Sequence, residues 1–240
     1  MDYHDVLAAF GAGSAHPGGF RGTFDWLGEL AIAPGAQVLE VGCGTGRTAC
    51  AIQERFGAQV TGVDIREAMV DKAKRRAEAL ALNAVFLQSE QADVLPFPEH
   101  SFDLIVIESV TIFNRMESIL QEYFRVLRSP GAVIDTEMAA AYPLAPALLR
   151  EVRELYGAVR VPTLKEWKTL FGGAGFSPVQ ILRSGAVRAV PFEDELHDAM
   201  AIVSPEAFSG EASKIVDRNQ QLMADHGKWF VYGVFRAVKE

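Results

Sequence analysis

The chain has 240 residues, 49% hydrophobic and 22% charged, enough apolar material for one generous core, or for one core with a small appendage. Its net charge of −8 repels phosphate backbones and argues against a nucleic-acid substrate. Two cysteines, Cys43 and Cys50, exclude a disulfide framework and fit a reducing compartment. The acidic start Met1-Asp2-Tyr3-His4-Asp5 leads into no long apolar run. Neither a signal peptide nor a membrane span is expected, and the expected location is cytoplasmic.

In chain order, residues 1–34 read as short helical segments before the first strand. Continuous apolar runs at 37–41 and 58–63 predict buried parallel strands, because a strand covered on both faces loses the alternation of a half-exposed one. A helix over 47–56, ended by Gly57, joins them. A second helix is expected over 66–82. Its basic run Lys72, Lys74, Arg75 and Arg76 lies among alanines and glutamates at helical spacing and reads as a solvated face. Strands follow at 85–88 and 102–107, then a helix over 116–127, the turn Ser129-Pro130-Gly131 and a strand at 132–136. Strands alternating with helices place residues 35–138 in the doubly wound α/β class.

After residue 138 the rhythm loosens. Helices are expected over 147–156 and over 164–171, the latter capped by Thr163 with Glu166 three residues on. A strand around 179–182, a polar helical stretch over 191–227 and an aromatic strand at 229–235 complete the chain. No linker divides it, so 1–240 reads as one domain, in which 139–240 completes the sheet and carries a helical insertion at about 190–227.

The segment Glu40-Val41-Gly42-Cys43-Gly44-Thr45-Gly46-Arg47 follows the first strand. Its glycines allow a sharp turn and a close ligand approach. A dinucleotide fingerprint needs a small residue at the sixth position, where this chain has Arg47. Glu40 would disfavour a pyrophosphate and suits a ligand bearing an amino group and a sulfonium. Asp64, at the end of the second strand, can accept hydrogen bonds from both hydroxyls of a ribose. Read by itself, it could equally be a helix cap.

On these residues the chain resembles the class I S-adenosylmethionine-dependent methyltransferases, from Leu39 to about Thr136. The resemblance implies a Rossmann-like fold with a mostly parallel seven-stranded sheet and helical insertions in the C-terminal part. It implies S-adenosylmethionine as cofactor, S-adenosylhomocysteine as product, and direct methyl transfer to a small organic acceptor. A non-catalytic S-adenosylmethionine sensor or partner protein is the alternative. It further implies that Glu40, Gly42, Cys43, Gly44 and Gly46 surround the methionine part and that Asp64 holds the ribose. Ile65 would pack on adenine or simply on the core, and Gln91 with Ala92, or Asp93 in place of Gln91, would read the adenine edge. Glu108 lies just past the fourth strand, where open α/β sheets bind ligands. Gln91 departs from the pattern, which has an acidic residue there. Ser14 to Phe20 resembles a strap that folds over the cofactor in some small-molecule methyltransferases, and equally reads as a plain turn.

An oxygen or protonated nitrogen acceptor needs a base, for which His16, Glu108, Tyr142 and His197 are candidates. No metal is expected, for no His/Cys cluster has ligand spacing. Phe192, Met200, Phe208 and Met223 would either line an apolar lid or pack on the core.

Overall fold

The computed structural model describes residues 1–91, 93–187 and 198–240. Two helices, α1 (Tyr3–Phe10) and α2 (Gly19–Leu27), precede the sheet. The alternating core follows: β1 (Gln37–Val41), α3 (Arg47–Phe56), β2 (Gln59–Asp64), α4 (Glu67–Ala79), β3 (Val85–Gln88), β4 (Phe102–Glu108), α5 (Met116–Val126) and β5 (Leu127–Ala140). The remainder is α6 (Pro146–Tyr156), α7 (Leu164–Gly173), β6 (Val179–Ala186), α8 (Gly210–His226) and β7 (Phe230–Lys239).

The seven strands lie in the order β3-β2-β1-β4-β5-β7-β6. Every pairing from β3 to β5 is parallel, whereas β7 runs antiparallel to both of its neighbours. The apolar runs are continuous because each strand feeds two cores. Leu39, Val41, Ile105 and Ile107 point to the side covered by α5 and α7. Val38, Leu104 and Val106 point to the opposite side, where Trp26, Ala49 and Ile52 await them. The chain turns from one side of β1 to the other between β3 and β4. That reversal opens a crevice at the carboxyl ends of β1 and β4, the place where doubly wound sheets bind ligands.

The mostly parallel seven-stranded sheet expected from the sequence is present, with differences in extent. β5 and β7 run longer, pairing from Gly131 with Lys239 to Ala140 with Phe230. Their ladder carries polar residues that hydropathy alone would assign to loops. The Ser129-Pro130-Gly131 turn is an irregularity inside β5: Phe102 pairs with Leu127, but Leu104 pairs with Ala132. The helical expectation for 191–227 is met only in its later part. Residues 198–204 form no regular helix, Pro205–Phe208 is a 3₁₀ turn, and α8 starts where the Ser209 hydroxyl accepts the Ala212 N–H. Residues 191–197 lie outside the described residues.

Asp135 and Glu137 sit on the same face of β5, both fully buried. The Thr111 hydroxyl donates to Asp135 Oδ2 at 2.8 Å. Glu137 Oε1 accepts the N–H groups of Val110 and Thr111 at 2.9 and 2.7 Å, which fixes the turn after β4. Burial raises the Asp135 carboxyl to about 8 against the opposing Thr111 hydrogen bond. Burial and then the Asp135 charge push Glu137 well up. A carboxyl raised in the folded state gives stability that is fully present below its unfolded pKa and is lost as pH rises through the folded one. The melting temperature should therefore fall from about pH 4 to about pH 8 and level off above it, and Asp135→Asn should flatten that decline. An equally steep decline in the variant would exclude the pair as its source.

Candidate active site

A cavity of about 310 Å³ opens in the crevice at the carboxyl ends of β1, β2 and β4. Glu40, Gly42, Cys43 and Gly44 line it from the loop after β1, Asp64 and Ile65 from the end of β2, and Glu108 from β4. Residues 12–16, between α1 and α2, also line it; of the segment Ser14 to Phe20, expected as strap or turn, Ser14 to His16 reach the cavity wall.

The glycine loop is held over β2, with the N–H groups of Gly42 and Cys43 donating to the Val63 carbonyl at 2.8 and 2.9 Å. Gly42 has φ +70°, and a Cβ there would lie 2.2 Å from a Val110 methyl. That close packing and left-handed backbone require glycine. Gly46 does not reach the cavity. It stands before α3 at φ +71°, and a Cβ there would lie 2.8 Å from both Ala73 and Phe86, so its task is to let α3 pack closely on α4 and β3.

Asp64 accepts the Gly44 N–H through Oδ2 and the Arg66 N–H through Oδ1, both at 2.9 Å. It therefore fixes the loop and caps the turn into α4 while still facing the cavity. Burial raises its pKa against those two hydrogen bonds. Glu40 is 4% exposed, and its Oε2 has no partner. Burial first, then the charges of Glu108 and Asp64, push its carboxyl well up, against the opposing pull of the Ala49 backbone and Arg76. Two more buried oxygens lining the cavity lack partners, Ser14 Oγ and Ser109 Oγ. Ser109 holds φ +57° at the end of β4, a strained conformation for a residue with a Cβ.

Glu108 lines the cavity, but its carboxylate is already engaged. Thr23 donates to Oε1, Thr48 donates to Oε2 at 2.8 Å, and His16 Nε2 lies 3.3 Å from Oε1. His16 and Thr23 thereby join the 12–16 segment and α2 to the sheet, and neither His16 nor Glu108 presents a free base.

The remaining expected positions separate. Gln91 is exposed and absent from the cavity wall, giving its backbone carbonyl to the Ser89 hydroxyl at 2.8 Å. Ser89 and Leu95 line that end in its place. Tyr142 is 69% exposed against Trp229, away from the cavity. Ala92, Phe192 and His197 lie outside the described residues. Phe208 is 81% exposed beside Phe10, Met223 packs on the main core, and Met200 lines no part of the cavity. The described part of the insertion instead backs α1: Ser204 N–H donates to the Ala9 carbonyl at 2.7 Å, and α8 packs on α1 and α6.

Sequence reasoning missed Tyr3, His4, Leu7, Val110, Phe113 and Asn114, which also line the cavity. The aromatic and histidine content of the first four residues was the available signal. The reading of 72–76 as a solvated face also requires correction. Lys72 Nζ donates to the Ala8 carbonyl at 2.6 Å. The buried Arg76 donates to the Thr45 carbonyl at 2.9 Å and pairs with both oxygens of Asp198.

A family profile described as a methyltransferase domain matches residues 38–131, spanning β1 to the start of the long β5 ladder. The uncharacterized methyltransferase YodH of Bacillus subtilis is 31% identical over 239 residues, covering 99% of each chain. The chain belongs to the class I S-adenosylmethionine-dependent methyltransferase family. Among solved structures, phosphoethanolamine N-methyltransferase 2 of Haemonchus contortus bound to S-adenosylmethionine has TM-score 0.74 at 20% identity, covering 98% of this chain and 57% of that one. The [4+2]-cyclase SpnF has TM-score 0.74 at 21% identity, covering 98% and 93%. These two establish likeness of fold. No helix among the described residues is long and apolar enough to cross a membrane.

Proposed function

We propose that the protein transfers a methyl group from S-adenosylmethionine to a small organic acceptor. The observation that carries this reading is the set of unsatisfied buried oxygens on residues lining the cavity, Glu40 Oε2, Ser14 Oγ and Ser109 Oγ. Buried polar atoms are rarely left without partners. A carboxylate and two hydroxyls lining one cavity suit an α-amino acid, whose ammonium would donate to Glu40 and whose carboxylate would accept from the serines. Asp64 keeps acceptor capacity on both oxygens beyond its two backbone bonds, which suits vicinal ribose hydroxyls. Ile65 and Met69 provide the apolar surface beside it for a purine. Gly42, Cys43 and Gly44 leave the backbone open to the ligand, and Glu108 serves by holding α2 and α3 beneath it. Bound there, the sulfonium supplies an activated methyl group. The chain's own residues have to orient the acceptor and exclude water.

The test is calorimetric titration with S-adenosylmethionine, S-adenosylhomocysteine and NAD. Binding of the first two at micromolar concentration without a response to NAD is expected. NAD binding with silence toward both sulfur ligands would overturn the reading. Release of S-adenosylhomocysteine across a metabolite panel then separates an enzyme from a sensor, which would bind without turnover.

A further inference from the structure

One group on the cavity wall is left unused by the contacts above: the imidazole of His4. Its Nε2 lies 3.0 Å from the Tyr156 carbonyl. A carbonyl can only accept, so Nε2 carries the hydrogen and Nδ1 keeps its lone pair. No hydrogen bond to Nδ1 exists among the described residues. The ring stands edge-on to Phe113 at 4.4 Å and to Tyr3 at 5.8 Å, and Tyr3 in turn meets Tyr156 at 4.9 Å. Contacts from α1, from the turn after β4 and from α6 thus fix the orientation of His4.

The surroundings select the acceptor. Tyr3, Leu7, Val110, Phe113 and Asn114 form the adjoining wall, and none carries a charge at neutral pH. The charged lining residues are engaged elsewhere. Arg66 lies within 3.5 Å of both Asp2 and Asp5, Glu108 is held by Thr23 and Thr48, and Glu40 and Asp64 face the amino-acid and ribose ends in the reading above. Among the described residues, an ammonium or phosphate acceptor would find no free counter-charge on this wall. A flat, uncharged acceptor would find aromatic faces and edges.

We propose that His4 Nδ1 is the general base for an aromatic hydroxyl acceptor seated against Tyr3 and Phe113. This rests on the methyltransferase reading. The acceptor O–H breaks and its proton goes to Nδ1. The oxygen pair forms the new O–CH₃ bond, while the pair of the broken S–CH₃ bond remains on sulfur. The products are an aryl methyl ether, S-adenosylhomocysteine and an imidazolium that returns its proton to solvent. Burial holds His4 below the ordinary imidazole value, partly offset by the Tyr156 hydrogen bond, with Arg66 lowering it and Asp2 and Asp5 raising it. Asp64, which lines the same cavity, also interacts with it electrostatically. The ring is then neutral and able to accept a proton at pH 7.

Three measurements on the full chain test this, with catechol and 2-naphthol as probes. ¹⁵N NMR of the imidazoles, with His4 assigned through its contacts to Phe113, should find Nε2 protonated and Nδ1 lone-paired. Adding either probe to the S-adenosylhomocysteine complex should move the Nδ1 resonance. His4→Gln should keep its affinity for S-adenosylmethionine within twofold and lose at least about 100-fold in kcat toward the probes, the scale of general-base catalysis. A protonated Nδ1 would overturn the proposal whether or not the variant folds. So would a variant retaining activity within tenfold, or a protein that binds S-adenosylmethionine yet neither binds nor methylates hydroxyarenes. Failure to bind S-adenosylmethionine at all would instead remove the methyltransferase reading, and this proposal with it.

Discussion

Glu40→Gln should raise the melting temperature of the ligand-free protein at pH 7.5 and at the same time weaken S-adenosylmethionine binding by roughly 30- to 1,000-fold. The two effects share one cause. Glu40 is a buried carboxylate with an unpartnered oxygen, next to the charge of Glu108. Without a ligand, burying that charge is costly, and burial accordingly raises the pKa. Glutamine keeps the shape and removes the charge. When an ammonium is bound, the same carboxylate gains a charge-assisted partner in a site shielded from water, and losing one side of such a pair costs about 2–4 kcal/mol.

The pH dependence follows with its sign. The raised folded pKa means that Glu40 contributes stability fully present below its unfolded value, about 4.3, and lost as pH rises through the folded value. The stability gap between variant and wild type should widen with rising pH in the free protein. It should reverse when S-adenosylmethionine is saturating, because the bound ammonium then favours the ionised form. Differential scanning fluorimetry with and without ligand reads both arms. A variant less stable than wild type in the free state would show that Glu40 is a structural hydrogen-bonding group and not a poised ligand contact.

The parts of this molecule legible in its sequence are those governed by local rules. β1, β3 and α3 are predicted to the residue, because apolar runs and glycines bound them sharply. The loop from Glu40 to Gly44 and Asp64 fall together in the cavity, because the strand–turn–helix geometry dictates where the end of one strand meets the next. What was not legible depends on long-range packing. Glu108 reads as a ligand contact by position, yet Thr23 and Thr48, far apart in sequence, claim its oxygens. Gly46 belongs to the same glycine run as Gly42, and only the approach of Phe86 and Ala73 makes it structural. Tyr142 looked available in sequence, but the geometry of the β5–β7 ladder carries it out to solvent beside Trp229. The cavity wall around His4 comes from α1 and from the turn after β4, joined by a fold that no local pattern announces.

Arg76→Met should cost about 3 kcal/mol, a fall of roughly 6–12 °C in melting temperature for a chain of this size. Arg76 leaves α4 at helical spacing beside Lys72 and Arg75, but α4 turns it inward, where it is 6% exposed. There it holds the Thr45 carbonyl in the glycine loop and both oxygens of Asp198 in the segment that backs α1. Arg47 approaches the same carboxylate at 3.8 Å and stacks on Phe20 of α2. Asp198 would be pushed up by burial, but Arg76 and the Met200 N–H outweigh that and leave its pKa below the usual range. A depressed carboxyl contributes stability above its unfolded pKa, near 3.9, and loses it as pH falls through the folded value. The deficit of Arg76→Met should therefore be full at pH 7 and shrink in strong acid. Removing the arginine alone strands a buried carboxylate, whereas Arg76→Met combined with Asp198→Leu removes both charges and should recover most of the loss. Urea unfolding of the two single variants and the double variant measures the coupling. Additive losses would mean that the pair does not act as one contact. Coupled losses, together with weaker S-adenosylmethionine binding in Arg76→Met, would tie the segment around Asp198, the glycine loop and α4 into one unit that supports the cavity around its ligand.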